Sequence, residues 1–324
     1  MVTRYLGRRV AQASITIAGI VLLNFVLFRM MPGSPERILL RNPNMSQASI
    51  AAQQARWGLD KAIFPDQFVA YVGSTIQGDF GESFKYRGRP VAEVIGARVL
   101  PTVILFGLGE LVAIVVGLAL GAYSGWRRGG PIDYIGNGLS LVLYSMPYFL
   151  LGMILLVFFA TELGWFPTSG MLTLGATYTS WVDQALDFGG HFVLPLAAVS
   201  LGLIGQYSIL MRSSIIQTRG DDYLQTARAK GLTDSRVLTA HALPNALLPT
   251  VSLVGINLGF IVAGAITVEV VFNWPGLGTL TQEALQARDY PVLQGVFLLL
   301  AVSVVLANLF VDMIYGFLDP RVRS

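Results

Sequence analysis

The chain contains no cysteine. That excludes disulfides, thiolate nucleophiles and cysteine-ligated metals, and leaves the redox compartment unreadable. Histidine is nearly as scarce: His191 and His241 are too far apart to form a paired-ligand motif, so each reads as a structural residue and no metal site is expected. Lysine occurs only at Lys61, Lys85 and Lys230, which follow Asp60, Phe84 and Ala229. A phosphate-cradling loop needs Gly-Lys followed by a hydroxyl residue, so none of the three can belong to one. Neither His-Glu-x-x-His nor Gly-x-Ser-x-Gly occurs, which argues against metal-dependent and serine hydrolases. The reading is of a chain without catalytic residues. Charge is also sparse, at 13% of 324 residues.

What fills the chain is apolar: 54% hydrophobic residues and a mean hydropathy of +0.62. This composition describes a polytopic, all-α membrane protein. Six stretches reach the roughly 20 apolar residues that a spanning helix needs, at 10–31, 100–123, 134–160, 192–211, 246–272 and 292–317. The first follows Arg4, Arg8 and Arg9 like a signal peptide, but its length and the lack of a small-x-small cleavage site predict an uncleaved helix. Arg127, Arg128, Arg212, Arg219, Arg228, Lys230, Arg236, Arg321 and Arg323 fall on the same side as that N-terminus, whereas the two short loops opposite carry Arg288 alone. The positive-inside rule therefore predicts both termini on the cytoplasmic side of the membrane. It also explains the net charge of +3 and the pI near 9.2 without nucleic acid.

The first segment on the far side, 32–99, opens with Pro32-Gly33-Ser34-Pro35 and carries spread aromatic residues from Trp57 to Tyr86. It is expected to fold as a structural extracytoplasmic element. Trp165, Phe166, Tyr178 and Trp181 suit a membrane-interface belt, and the run from Leu280 to Ala287 is amphipathic. Within the spans, Asn24, Glu110, Asn257, Glu269 and Asp312 stand out because charge is costly there. Glu269 and Asp312 lie near span ends and read as structural. Glu110 and Asn257 lie deeper and read as candidates for a translocation path or for inter-helix hydrogen bonding. Glycines 107, 109, 117 and 121, with Pro147 and Pro195, permit close helix approach and kinks.

The polar stretch 221–249, between two apolar runs, predicts a short helix from Asp222 to Gly231: an acidic start, good helix formers and a glycine stop. So short a helix is marginal alone, so it either docks on a partner or is an ordinary solvated loop. Ala227, Gly231 and Leu243-Pro244 resemble the EAA loop of ABC-importer permeases, with Gln225-Thr226 where that pattern has Glu-Ala. The fuller string Tyr223 to Gly231, followed by His241, Pro244-Asn245-Ala246 and Pro249, is similar to the dipeptide and oligopeptide branch of that family. The same branch is resembled by Gly58-Leu59-Asp60, Arg89-Pro90-Val91 and Leu318-Asp319-Pro320-Arg321.

The resemblance implies a type I ABC-importer permease fold of six transmembrane helices, with residues 32–99 outside, a 100–317 core containing the coupling loop 212–245, and a tail at 318–324. It implies a second homologous permease subunit, two ATPase domains that bind the ATP and magnesium, an extracytoplasmic substrate-binding protein, and no cofactor on this chain. It also assigns Asp222, Tyr223, Ala227, Arg228, Ala229, Lys230, Gly231 and Pro244 to ATPase coupling. Ala227 and Ala229 would allow close approach to the ATPase, and Arg228 and Lys230 would meet its acidic rim. Peptides are the implied substrate, with nickel or another small solute as the alternative. A secondary transporter is the reading from another class, and would need ion-coupling groups at the midplane.

Overall fold

The computed structural model describes residues 2–30, 61–86, 88–263 and 266–318. Pro32 to Pro35, Trp57, Gly58-Leu59-Asp60 and the C-terminal Asp319 to Arg323 lie outside them. Among the described residues the structure is helical, with one isolated β-bridge between Glu82 and Pro90. Four helices are long and apolar enough to cross a membrane, and two bent pairs raise the number to as many as six. The chain divides into two compact units, Met1–Arg98 with Leu280–Ser324, and Val99–Thr279.

In the first unit α1 (Val2–Met30) and α13 (Tyr290–Leu318) pack together. Asn24 donates to the Gln294 carbonyl at 3.0 Å, and Arg9 pairs with Asp312 at 3.1 Å. The pairing supplies a cation for Asp312 near its span end, where a lone carboxylate would be costly. Helix α2 (Phe68–Ile76) follows a π-helical turn, Ile63–Gln67. Phe25 meets the rings of Phe64, Phe68 and Tyr71. The turn after α2 is fastened to the end of α12 (Leu277–Ala287): buried Asp289 accepts from the Ser83 hydroxyl and from the Lys85 amide at 2.9 Å. Lys85 pairs with Glu283 at 2.6 Å. Burial lowers the Lys85 pKa, but the Glu283 carboxylate more than offsets it, leaving the ammonium group above its usual range.

The second unit holds α3 (Val91–Trp126) from residue 99 onward, α4 (Pro131–Ser145), α5 (Tyr148–Leu155), α6 (Trp181–Thr218), α7 (Asp222–Ala229), α8 (Asp234–Val237), α9 (Leu243–Ala246), α10 (Leu248–Ala263) and α11 (Ile266–Val271). The stretch 134–160, expected as one span, is broken: its two halves meet at 104°. Pro147 has no amide proton to continue the helix and forces the preceding residue extended, and Met146 sits at φ −86°, ψ 129°. The break rests on α6, where glycine is required: a Cβ on Gly202 would come 2.1 Å from the Tyr148 ring, and one on Gly205 would come 2.6 Å from the Ser140 carbonyl.

Helices α3 and α6 run parallel and approach backbone to backbone. A Cβ on Gly117 would lie 2.7 Å from Tyr207 Cβ, on Gly121 2.3 Å from the Ser208 carbonyl, and on Gly125 2.7 Å from the Arg212 carbonyl. Of the glycines predicted to permit close approach, Gly117 and Gly121 thus do so, as does Gly109 against Val199, and Gly125 joins them, whereas a Cβ on Gly107 would meet nothing within 4 Å. Three apolar clusters follow the pair. Leu105, Phe192, Phe272 and Trp274 lie at one end, Ala113, Ile204 and Tyr207 in the middle, and Trp126, Ile215, Leu224 and Val237 at the other.

Candidate functional site

The first candidate site is built on α7. Its first turn carries Asp222, favourable at a helix N-terminus. Its end is a Schellman motif: the Gly231 amide donates to the Arg228 carbonyl at 2.9 Å and the Leu232 amide to the Ala227 carbonyl at 3.4 Å. That motif needs a left-handed residue, and Gly231 has φ +80°. The glycine stop read from sequence is therefore a conformational requirement, and a Cβ there would meet nothing within 4 Å.

Leu224 and Ala227 point inward and are buried with Trp126, Met211, Ile215, Val237, Ala242 and Ala246. Asp222, Tyr223, Gln225, Thr226, Arg228, Ala229 and Lys230 are exposed. Ala227 is thus a core residue of this chain, whereas Ala229 is open on the surface. Pro244 is exposed at the start of α9, and one residue on, Asn245 donates to the Tyr223 hydroxyl at 2.9 Å. This ties α9 to α7.

Sequence reading passed over Trp126. It closes α3, is nearly buried, and its indole N–H donates to Asp234 at 2.7 Å. The Arg228 and Arg219 guanidinium groups lie 5.4 Å and 5.6 Å from its ring. The available signal was a tryptophan immediately before Arg127-Arg128. Nearby, Arg212 grips Asp133 with two hydrogen bonds, 2.6 Å and 2.9 Å, and Asp133 also accepts from Ser124 and the Gly129 amide.

The second candidate site lies within the spans. Glu110 of α3 accepts a hydrogen bond from the Tyr207 hydroxyl of α6, and that hydroxyl accepts one from Asn257 of α10 at 3.0 Å. The two residues singled out from sequence are therefore joined through a third, which composition did not mark because tyrosine is unremarkable in an apolar run. Glu110 and Tyr207 are buried, and Asn257 is half-buried. Among the described residues no Lys, Arg or His pairs with Glu110.

Glu269 is a different kind of carboxylate. Fully buried, it accepts from Thr102 at 2.7 Å and from the Gly278 and Thr279 amides at 2.6 Å and 3.1 Å, capping the start of α12. In the first turns of α6, Asp187 accepts from the Thr173 amide and hydroxyl and from the Tyr178 hydroxyl of the preceding loop, at 2.8 Å, 2.6 Å and 2.7 Å. No group of three or more His, Cys, Asp or Glu side chains arranged for a metal occurs among the described residues.

Residues 113–324 match the family described as the binding-protein-dependent transport system inner membrane component. The dipeptide transport system permease protein of Escherichia coli K12 is 38% identical, over 99% of this chain and 98% of its own. The oligopeptide transport system permease protein of Bacillus subtilis is 34% identical over 98% of this chain and 99% of its own. A glutathione transport system permease protein of Salmonella choleraesuis is 36% identical over 98% of both. The matched region contains both candidate sites but for Glu110. With near full-length relatives at this identity, the chain belongs to the family of inner-membrane components of binding-protein-dependent transport systems.

Proposed function

We propose that this permease forms half of the translocation pathway of an ATP-driven peptide importer, and that α7 is where it meets a separate ATPase. The observation that carries the reading is the build of α7: a short helix, fixed from below by Leu224 and Ala227 and ended by the Gly231 turn, with a polar outer face. A helix held this rigidly on the chain's own core can pass on a push, which a solvated loop cannot. The names of the relatives, two of them peptide permeases, support the substrate class.

In this reading α7 and both termini face the cytoplasm, residues 32–99 lie outside, and a second similar permease completes the path. Two ATPase domains hold ATP and magnesium, and an external binding protein delivers the peptide. Nucleotide binding then biases a two-state bundle by its different affinity for the two arrangements. Asp222, Tyr223, Arg228, Ala229, Lys230 and Gly231 serve coupling. Glu110 and Asn257 bias the path from within the bundle.

The test is purification of the chain from its own membrane, followed by ATPase and uptake assays in vesicles. ATPase subunits and a second permease should copurify. Gly231→Val should insert normally and lose ATP-dependent uptake. A chain that purifies alone and transports without ATP overturns the reading.

A further inference from the structure

Trp126 is where the end of α3, the end of α6 and α7 come together. Its indole N–H is fixed by Asp234 of α8 at 2.7 Å, and its faces carry Arg228 of α7 and Arg219 at the end of α6. Arg219 also donates to the Gly125 carbonyl at 3.4 Å. Leu224 and Ala227, the buried face of α7, belong to the same apolar cluster as the ring. One side chain therefore touches α7, α8 and the end of α6.

What Trp126 is attached to makes the junction consequential. Gly117, Gly121 and Gly125 leave no gap between α3 and α6, and packed interfaces of this density shift as units. Movement imposed on Trp126 is movement of both helices. Glu110 lies about 24 Å further along α3, at 1.5 Å per residue. There the helix pair holds Tyr207, which meets α10 through the hydrogen bond from Asn257 and the packing of Leu253 and Val254.

Resting on the reading of α7 as the ATPase contact, we propose that Trp126 is the positioning residue that transmits displacement of α7 to the joined α3/α6 pair, moving that pair against α10. The Arg228 guanidinium, exposed on α7, thereby rests against the permease's own indole as part of the linkage. Asp234 keeps the ring from turning out of it.

The absence of cysteine allows the motion to be read directly. Single cysteines at exposed Leu111 on α3 and exposed Ile256 on α10 take spin labels, and their separation is measured in the whole transporter without nucleotide and after trapping with ATP and vanadate. Trapping should change the distance in the otherwise unaltered chain. In Trp126→Leu, which keeps an apolar side chain but has neither a π face nor an N–H, at least half of that change should be lost while ATP hydrolysis per assembled complex continues. Trp126→Phe, which retains the face, should keep most of it.

A merely structural role would lower the yield of complex and leave the distance change per complex intact, and that result overturns the proposal. If Trp126→Leu fails to assemble, Trp126→Met, closer in volume and likewise without a π face or an N–H, decides. Reduced motion supports the linkage, and full motion overturns it. Failure of the underlying reading looks different: no ATPase accompanies the unaltered chain and its distance ignores nucleotide.

Discussion

The two ends of the α3/α6 pair are both closed by a tryptophan and a carboxylate, yet they are built on different principles. At the Pro101 end, the Trp274 indole donates to a backbone carbonyl at 3.0 Å, and Glu269 accepts from two backbone amides and Thr102. At the Trp126 end, the indole donates to a side-chain carboxylate and is flanked by two arginine side chains. Backbone partners cannot leave without unwinding a helix. Side-chain partners can change rotamer at small cost. The first end is an anchor, and the second is a joint.

Breaking the anchor should have the largest effect. Glu269→Ala leaves the Thr102 hydroxyl and two helix-start amides buried without an acceptor, a loss on the order of 3 kcal/mol or more. Thermal unfolding of the detergent-solubilised protein should shift strongly downward, and an unshifted transition would show that Glu269 is no anchor. Next is the beam between the ends. Gly121→Leu forces bulk against the Ser208 carbonyl and should cost roughly 1–3 kcal/mol or separate the helices, whereas Gly107→Leu, whose Cβ meets nothing within 4 Å, should be mild in the same assay.

The joint's foundation should respond less. Gly231→Ala places an L-residue at φ +80° at about 1–2 kcal/mol, readable as faster amide hydrogen exchange across Tyr223 to Leu232 with the spans unchanged. The smallest effect lies at the start of α6, where Asp187 holds the Thr173 amide and hydroxyl and the Tyr178 hydroxyl. Asp187→Asn should speed exchange of the Thr173 amide and leave the rest of the spans unchanged.

The parts of this design that were legible in the sequence are those set by local chemistry. Six apolar runs announced the spans, and the order acidic start, helix formers, glycine announced α7 and the turn at Gly231. Pro147 was visible as a kink, but a break of 104° depends on Gly202 and Gly205 of another helix making room for it. The joining of Glu110 to Asn257 was hidden for a similar reason: Tyr207 lies 97 residues from the one and 50 from the other. Ala227 shows the limit from the opposite direction. Its small size read as an invitation to a partner, and only the packing around Trp126 reveals that the chain itself fills that place.

Because α3 and α6 run parallel and finish near Trp126 and Thr218, their peptide dipoles add side by side. Two carbonyl ends, each equivalent to about half a negative charge, fall within one small region. Arg127, Arg128 and Arg219 follow those ends in sequence, and Arg219 reaches the Gly125 carbonyl itself. Basic residues from which the orientation was predicted thus also neutralise an electrostatic strain that the parallel pairing creates, at roughly 0.3–1 kcal/mol each.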